Sequence, residues 1–389
     1  MQTQLRIGLV AGEASGDMLG AALIDALRAR LPAVEFIGLA GERMRAAGCQ
    51  ALGSSEELAV MGLVEPLRHL PRLWRLRARL LQAFLAPRVD IFIGIDSPAF
   101  NIGLARRLRD QGIATVQYVS PQVWAWRRGR VHKIAAAVDA VLCLLPFEPA
   151  VYDGLPVRAE FVGHPLADQV PLESGRHAAR ASLGIGEDTR VVAVLPGSRM
   201  GEVERLGPDF VAATLKLRQL VPEPLLFIAP LASARVGEVF KQQVHSAGAD
   251  IQFVERQADA VLAAVDVALV ASGTATLQAM LHGCPMVVAY RFAPLTAFIA
   301  RDLKLMKARF LALPNLLAGE ALVPEFFQDR ATPLTMAVAL RQELLDVSRR
   351  HFLRQRFRDI HLQLRQGGAA RAAAVVLELL AARGNQADA

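Results

Sequence analysis

Short apolar runs alternate with helical patterns along almost the whole chain, and this alternation limits the fold more than any other feature. Strand-like runs separated by helices are typical of α/β proteins with parallel sheets. The runs form two series. The first comprises Leu5–Ala11, Val34–Leu39, Asp90–Ile95, Ala114–Val119, Ala140–Leu145 and Phe161–Val162. The second comprises Arg190–Leu195, Leu225–Ala229, Ile251–Val254, Val265–Val270 and Pro285–Tyr290.

The chain has 389 residues, which is more than one hydrophobic core usually supports. We therefore predict two Rossmann-like domains, residues 1–168 and 169–345, facing a cleft. The stretch 168–190 is rich in Pro, Ser, Gly and mixed charge, as expected of a linker. Residues 346–389 are expected to form C-terminal helices. These helices either pack back on the N-terminal domain or are exchanged with a second subunit of a homodimer.

Composition limits the function classes. A hydrophobic content of 53% excludes a disordered chain, and the three widely spaced cysteines form no CxxC pair. We expect a cytosolic protein with reduced thiols. The net charge of +7 comes mainly from arginine. Because the aromatic and glycine patterns of RNA-binding modules are absent, an anionic membrane surface or a phosphate-bearing substrate is favoured over nucleic acid.

The first strand runs directly into the turn Gly12–Asp17, which contains the carboxylates Glu13 and Asp17. Its G-x-x-x-G spacing differs from the dinucleotide fingerprint G-x-G-x-x-G. An acidic turn favours hydroxyl recognition or proton abstraction over pyrophosphate binding. Asp17 has an alternative role as a helix cap.

A second acidic turn, residues 94–101, follows the run Asp90–Ile95. Asp96 stands where α/β folds place catalytic carboxylates. Pro98 is expected to restrict Ser97 to extended geometry. Helix capping is an alternative role for Ser97 and for Asn101.

Two tryptophans, Trp124 and Trp126, stand beside Arg127 and Arg128. Flat rings next to cations suit a sugar face with a phosphate nearby. Packing in the core is the alternative.

The second series contains two turns of the phosphate-binding kind, 196–199 and 272–276. A helix start presents free N–H groups and a positive dipole end to an anion, and Arg199 can add a bidentate clamp. The other polar side chains here are Glu202, Ser272, Thr274 and Thr276. Ordinary helix capping is the alternative. The chain contains no Walker A loop, D-x-D pair, HExxH or G-x-S-x-G motif.

The segment Pro71–Leu85 is predicted to be a short basic amphipathic helix with Pro71 in its first turn. Arg72, Arg75 and Arg79 fall on one face. The apolar surface is formed by Leu73, Trp74, Leu81, Phe84 and Leu85. Such a helix is typical of an interfacial membrane-docking element, or of a surface helix packed on a sheet. A second basic stretch, residues 301–309, is a candidate for the same face.

Taken together, several motifs closely resemble those of the lipid-A-disaccharide synthase family, which are GT-B-type glycosyltransferases. They are GEASGD (12–17), GIDSPAFN (94–101), YVSPQVWAWR (118–127), LPFE (145–148), VGHP (162–165), LPGSR (195–199), SGTAT (272–276) and LPNLLAG (313–319). The resemblance covers nearly the whole chain.

This resemblance implies transfer of 2,3-diacylglucosamine from its UDP derivative to the 6-hydroxyl of 2,3-diacylglucosamine 1-phosphate. The new bond is β-1,6, the donor carbon is inverted and UDP leaves. The second domain is then expected to hold UDP, and the first the acyl sugar acceptor. No cofactor or metal is expected. The expected location is cytoplasmic, peripheral on an anionic inner-membrane surface.

Asp96 is assigned as the general base, with Glu13 as the second candidate for base or as an acceptor ligand. The expected nucleotide ligands are Arg199, Glu202, Ser272, Gly273, Thr274, Thr276, Gln278, Asn315 and Gln328. The expected acceptor ligands are Ser15, Asp17, Asn101, Trp124 and Arg127. The chain departs from the family pattern at Ala99, where an acid is common, and at Gln278, where a glutamate commonly binds ribose. A UDP-N-acetylglucosamine 2-epimerase and a non-catalytic nucleotide-sugar-binding protein of the membrane surface are the alternative functions.

Overall fold

The computed structural model describes residues 4–59, 66–123, 129–173, 175–292 and 309–387. Two compact units are present: unit 1 comprises Met1–Asp168 with Leu364–Ala389, and unit 2 comprises Gln169–Gln363. Each unit is an α/β domain with a parallel sheet, so the predicted fold class is confirmed. The expected C-terminal segment 346–389 is divided between the units, since its part before Leu364 belongs to unit 2.

The regular elements are as follows. The strands are β1 Arg6–Ala11, β2 Glu35–Ala40, β3 Cys49–Ser54, β4 Ile91–Ile95, β5 Ala114–Tyr118, β6 Ala140–Cys143, β7 Arg158–Phe161, β8 Arg190–Leu195, β9 Leu225–Leu231, β10 Gln252–Glu255, β11 Val267–Ala271, β12 Met286–Tyr290 and β13 Glu325–Phe327. The helices are α1 Glu13–Arg28, α2 Glu42–Ala46, α3 Glu56–Ala59, α4 Pro66–Leu85, α5 Pro98–Arg109, α6 Arg130–Ala135, α7 Pro165–Gln169, α8 Arg176–Ser182, α9 Met200–Leu220, α10 Ala234–Ser246, α11 Ala258–Ala264, α12 Thr274–Leu281, α13 Leu313–Ala318, α14 Pro333–Leu345, α15 Val347–Leu364 and α16 Gly368–Ala387.

Unit 1 is built on a seven-stranded sheet with the order β3-β2-β1-β4-β5-β6-β7. Its strands pair in parallel and are largely apolar, because helices cover both faces. Side chains alternate between the faces: Ile7 and Leu9 of β1 pack in the core that includes α1 and α16, whereas Val10 packs with α4 and α5. Residues of the C-terminal helix α16 are part of this core.

Unit 2 contains a six-stranded sheet with the order β10-β9-β8-β11-β12-β13. A core of buried aliphatic and aromatic side chains joins its strands to α9, α10 and α14. The partly buried salt bridge of Arg176 and Asp266, 2.8 Å long, connects α8 to the start of β11. Asp266 also accepts a hydrogen bond from the backbone N–H of Val191, which fixes the amino end of β8.

Two strands are absent from the sequence prediction, β3 and β13. β3 is an edge strand whose residues are mostly half-buried or exposed, and β13 has only three residues. Neither has the apolar run by which buried strands are recognised. Helix α4 also begins five residues before the predicted start, so Pro71 lies inside the helix rather than in its first turn.

Candidate active site

Unit 1 has a topological switch point between β1 and β4. β1 pairs with β2 on one side and with β4 on the other, so the chain leaves the two central strands in opposite directions. In open parallel sheets, ligands bind in the crevice outside the carboxyl ends of the strands at such a point. Residues 12–17 follow β1 and residues 96–101 follow β4, so both predicted acidic turns lie at this edge.

The two turns touch and are strained. A Cβ atom at Gly12 would lie 2.2 Å from Oγ of Ser97, so only glycine permits this approach. Positive φ angles occur at Glu13 (65°), Asp96 (51°), Ser97 (41°) and, after β5, Val119 (78°). Such conformations cost about 1–3 kcal/mol each and cluster at functional sites. This edge of the sheet is therefore the candidate catalytic edge of unit 1.

The prediction that Ser97 is extended is wrong. Its φ and ψ are 41° and 52°, in the left-handed region. The carbonyl of Ser97 accepts hydrogen bonds from the N–H groups of Phe100 and Asn101, both at 3.0 Å, so the residue turns the chain into α5. The left-handed conformation of Ser97 therefore follows from its position at the start of α5.

Two buried amides hold the backbone of Asp96. Its carbonyl oxygen accepts hydrogen bonds from Nδ2 of Asn101 at 2.8 Å and from Nε2 of Gln117 at 3.0 Å. Its N–H donates to the carbonyl of Tyr118 at 2.8 Å. Asn101 is fully buried and also donates to the carbonyls of Val10 and Ile95. The expectation that Asn101 binds the acceptor is corrected, because its amide donors are directed to the protein backbone.

The Asp96 carboxyl group is half-buried, and burial raises its pKa above the ordinary value. A hydrogen bond from the backbone N–H of Ser97 opposes this rise in pKa, and the nearby charge of Glu13 adds to it. A carboxylate with a raised pKa is a stronger base for abstracting a hydroxyl proton. Glu13 and Ser15 are exposed at the same turn, so both remain available to a ligand.

Asp17, in contrast, is a structural residue. It is only 5% exposed, and its carboxylate accepts hydrogen bonds from the N–H groups of Gly41 (2.8 Å), Arg43 (2.9 Å) and Met44 (3.1 Å). These groups form the amino terminus of α2, which has no cap of its own. The expected acceptor contact of Asp17 is therefore corrected. Asp17 does cap a helix, but the helix is α2 rather than its own α1.

Unit 2 has its own switch point, between β8 and β11. The turn 196–199 follows β8 and the turn 272–276 follows β11, so the two predicted phosphate turns lie at one edge. The Arg199 side chain is 70% exposed. Gly273 and Thr274 are exposed at the start of α12, and a Cβ atom at Gly273 would meet no atom within 4 Å. An exposed cation and an open helix terminus thus share this edge.

Glu202 maintains the shape of the first turn. Its carboxylate accepts hydrogen bonds from the N–H groups of Ser198 (3.2 Å) and Arg199 (3.3 Å), and it lies 3.4 Å from the Arg199 guanidinium. The residue is 9% exposed. Its expected contact with the nucleotide is corrected, since its oxygens bind the turn itself.

In the second turn, Thr276 is fully buried; its hydroxyl donates to the Gly273 carbonyl at 2.8 Å and accepts from the N–H of Leu313 at 3.3 Å. Thr276 therefore joins α12 to α13 and does not face a ligand, which corrects the expectation. Ser272 is half-buried and donates to the Leu311 carbonyl at 3.2 Å, so its oxygen retains the capacity to accept.

Of the weaker nucleotide candidates, Asn315 is fully buried and exchanges hydrogen bonds with Val323. Its expected ligand role is corrected, because it closes the loop between α13 and β13. The amide of Gln278 donates to Asp259 at 3.1 Å, and the amide oxygen of Gln328 accepts from the N–H of Phe292 at 3.0 Å. Both therefore already have protein partners.

Helix α4 presents a different face from the one predicted. Leu73 is 9% exposed and packs in the core with Leu76 and Leu80, so its expected membrane contact is corrected. Trp74 is 65% exposed. Arg72 and Arg75 are exposed as well, whereas Arg79 forms an ion pair of 3.3 Å with Glu57.

Trp124 and Arg127, expected to bind the acceptor, lie outside the described residues, as does most of the basic stretch 301–309. No helix in the described part of the chain is long and apolar enough to cross a membrane. No group of three or more His, Cys, Asp or Glu side chains within the described ranges is placed to hold a metal ion.

Sequence reasoning missed Gln117, which holds Asp96, and Glu325, whose carboxylate accepts from the N–H groups of Leu311 and Ala312. Gln117 is a large polar residue inside the fully buried strand β5, and this was the available signal for it. Glu325 has no such signal, because its strand was not recognised.

Residues 7–379 match the model of a family described as lipid-A-disaccharide synthetase. A lipid-A-disaccharide synthase of Azotobacter vinelandii is 50% identical over 377 residues, covering 96% of this chain and 98% of that protein. A protein of the same name from Alkalilimnicola ehrlichii is 49% identical over 385 residues, covering 98% of this chain and 100% of that protein.

Solved structures resemble the fold. The UDP-GlcNAc 2-epimerase of Neisseria meningitidis, bound to UDP-GlcNAc, gives a TM-score of 0.64 at 12% identity, covering 97% of this chain and 99% of that chain. UGT71G1 of Medicago truncatula, complexed with UDP-glucose, gives 0.60 at 12% identity, covering 97% of this chain and 98% of that one.

Proposed function

The chain belongs to the lipid-A-disaccharide synthetase family, and we propose that its two switch-point edges divide the family's reaction between them. This reaction is a glycosyl transfer: 2,3-diacylglucosamine passes from its UDP derivative to the 6-hydroxyl of 2,3-diacylglucosamine 1-phosphate, and UDP is released. Unit 1 binds the acceptor and activates its hydroxyl. Unit 2 binds the UDP part of the donor.

Asp96 is the general base in this proposal. As the acceptor oxygen forms its bond to the anomeric carbon of the donor, the hydroxyl proton passes to the Asp96 carboxylate and the bond to the UDP oxygen breaks. A single displacement of this kind inverts the anomeric centre. Glu13 is exposed at the adjoining turn and binds acceptor hydroxyls; its charge also strengthens Asp96 as a base.

The leaving diphosphate gains negative charge as the glycosidic bond breaks, and it needs preorganised positive potential. Arg199 and the N–H groups at the start of α12 supply it, with the Thr274 hydroxyl as a further ligand. Glu202 contributes indirectly by fixing the turn that carries Arg199.

The conformation of Asp96 is the observation that supports this assignment best. It is a half-buried carboxylate on a strained backbone, and three hydrogen bonds hold that backbone at the carboxyl end of a central strand. Strain of this kind persists only where the surrounding structure imposes it. A surface acid without a function would not need such support.

The test is Asp96→Asn, assayed by mass spectrometry for disaccharide formation from both acylated sugars. Loss of a general base lowers kcat by about 10²–10⁴-fold, while UDP affinity remains within about twofold. Asp90→Asn is the matched control. Asp90 stands just before the same strand, accepts a hydrogen bond from the N–H of Arg6 at 2.7 Å, and is remote from the carboxyl edge. Full activity of Asp96→Asn would show that Asp96 is not the general base.

The same assay separates the family reaction from epimerisation. Incubation with UDP-N-acetylglucosamine alone, followed by NMR of the sugar, should leave the substrate unchanged. Appearance of the manno epimer would contradict the transferase proposal.

We also propose that the exposed side chains of α4 attach the protein to an anionic membrane surface. Trp74, Arg72 and Arg75 supply one large amphipathic ring and two cations at the surface. A membrane-associated acceptor would then be delivered to unit 1, which carries both α4 and the acidic turns. The apolar contribution to binding is smaller than the sequence predicts, since Leu73 is in the core.

A further inference from the structure

Unit 2 contains a cavity of about 400 Å³ that the glycosyl transfer does not use. Val265 precedes β11 and Cys284 precedes β12, and both residues line the cavity. It therefore opens at the amino ends of these strands, at the edge of the sheet opposite to Arg199 and Thr274. We call it the amino-edge cavity. Its polar wall includes three arginines, three histidines, one acid and one amide: Arg176, Arg354, Arg358, His282, His351, His361, Glu173 and Gln355.

The wall carries more positive than negative charge. Glu173 is the one acidic residue of the described lining, against three arginines. The buried acid Asp266 already has cationic partners: it binds Arg176 at 2.8 Å, and lies 4.0 Å from both Arg180 and Arg350. The charge of Asp266 partly offsets the repulsion on Arg354, but Asp266 forms no ion pair with Arg354 or Arg358 in the described part of the chain.

Arg354 and Arg358 are exposed residues of the cavity wall, so both are accessible to an anion from solution. Among the described residues Arg354 forms no hydrogen bond or ion pair, and its Cγ would lie 3.8 Å from a Cβ atom placed on Gly283. Burial lowers the pKa of its guanidinium, and the charges of Arg176 and Arg350 lower it further. Cations that repel one another in a cavity are stabilised when an anion with several acceptor oxygens binds among them.

The volume of the amino-edge cavity indicates a ligand larger than a single inorganic ion. Water occupies about 30 Å³ per molecule in the liquid, and small-molecule sites span roughly 300–1,000 Å³. The cavity is within this range. Part of its wall is apolar, formed by Leu262, Met280 and Leu281. This wall suits an organic group attached to the anion.

We propose that the amino-edge cavity binds a phosphate monoester carried on a small organic group, at a site separate from the glycosyl-transfer site. The phosphate lies against Arg354 and Arg358, and the organic part against the apolar wall. Two sources offer this chemistry, a soluble phosphate ester and the headgroup of an anionic lipid.

The test is calorimetric titration in the presence of saturating UDP, which occupies the nucleotide site at the other edge. The probes are inorganic phosphate, glycerol 3-phosphate, and phosphatidylcholine vesicles with and without phosphatidic acid. The variant is Arg354→Gln with Arg358→Gln. The matched control is Arg356→Gln, which lies on the same helix but is paired with Glu320 at 3.1 Å and does not line the cavity.

Glycerol 3-phosphate is expected to bind the wild type and the control more tightly than inorganic phosphate does, with affinity at least about tenfold lower in the double variant. If instead only the phosphatidic acid vesicles lose affinity in the double variant, the phosphate comes from a lipid headgroup. Equal affinities in the double variant and the control, or no binding of any probe, would overturn the proposal. Circular dichroism of the unliganded proteins verifies that each variant is folded.

Discussion

Replacing Asp17 by alanine distinguishes a structural carboxylate from a substrate ligand. Asp17 is buried and accepts three N–H groups at the amino terminus of α2, at 2.8, 2.9 and 3.1 Å. A hydrogen bond to a charged group contributes about 1.5–3 kcal/mol, so the gross sum is about 4.5–9 kcal/mol. Desolvation of the buried carboxylate offsets several kcal/mol of this. We expect Asp17→Ala to lower the free energy of unfolding by about 3 kcal/mol.

For domains of this size, 1 kcal/mol corresponds to about 2–4 °C in Tm. The melting temperature of unit 1 should therefore fall by roughly 6–12 °C in Asp17→Ala. Asp17→Asn should have a smaller effect, because Oδ1 still accepts from Gly41 and Met44 while an NH₂ group replaces the acceptor of the Arg43 N–H. Asp25→Ala is the matched control. It removes an exposed carboxylate from the same helix and should change stability by less than about 0.5 kcal/mol.

The assays are thermal unfolding by circular dichroism and disaccharide formation per folded enzyme at 25 °C. The structural role predicts a large loss of stability with activity within about twofold of the wild type. A tenfold or greater loss of activity with an unchanged Tm would refute the structural role and indicate that Asp17 binds the acceptor.

Three further predictions follow from the catalytic and membrane proposals. The acidic limb of kcat/KM against pH reports ionisation of the base, because activity is lost as the pH falls through the raised pKa of Asp96. Glu13→Gln removes a nearby negative charge and should move this limb to lower pH. A limb that stays in place would contradict an effect of the Glu13 charge on the pKa of Asp96. Gln117→Met removes one of the two amides that donate to the Asp96 carbonyl and should lower kcat with little change in KM. Its control, Thr115→Val, removes a buried hydroxyl at the other end of β5 and should lower Tm without a selective effect on kcat. Equal effects of the two variants on kcat would count against a positioning role for Gln117. Arg72→Glu with Arg75→Glu should reduce co-sedimentation with anionic vesicles more than Arg30→Glu with Arg43→Glu; the same binding by both pairs would contradict docking through α4.

The fold was largely predictable because buried parallel strands consist of short runs of apolar residues in the sequence. β4 is fully apolar, and β1 and β8 are apolar after their first residue, an arginine in each; the predicted bounds of the three strands differ from the observed ones by only a few residues. β3 and β13 could not be found in this way. They are stabilised by pairing with neighbours, and their composition does not distinguish them from loops.

The sequence predicted which turns form the candidate site, but not which side chains of these turns are free to contact a ligand. Spacing shows which residues follow a strand, whereas it does not show which distant backbone groups approach them. Asp17 binds N–H groups that lie 24 to 27 residues further along the chain. One signal was present: Gly41 precedes a helix and has no side chain to cap it, which leaves the first N–H groups free for another acceptor.

The residues that remain after these corrections give each edge a distinct chemistry. Asn101, Asp17, Glu202, Thr276 and Asn315 are buried and directed to backbone groups, so they shape turns and are not exposed to ligands. In unit 1 this leaves Glu13, Ser15 and Asp96, an acidic set suited to hydroxyl groups. In unit 2 it leaves Arg199, Gly273 and Thr274, a donor set suited to phosphate oxygens. An inverting transfer requires this division, because the proton leaves the acceptor oxygen while negative charge develops on the diphosphate. Exchanging the two chemistries, by placing an acid beside the diphosphate or an arginine beside the hydroxyl, would oppose both steps.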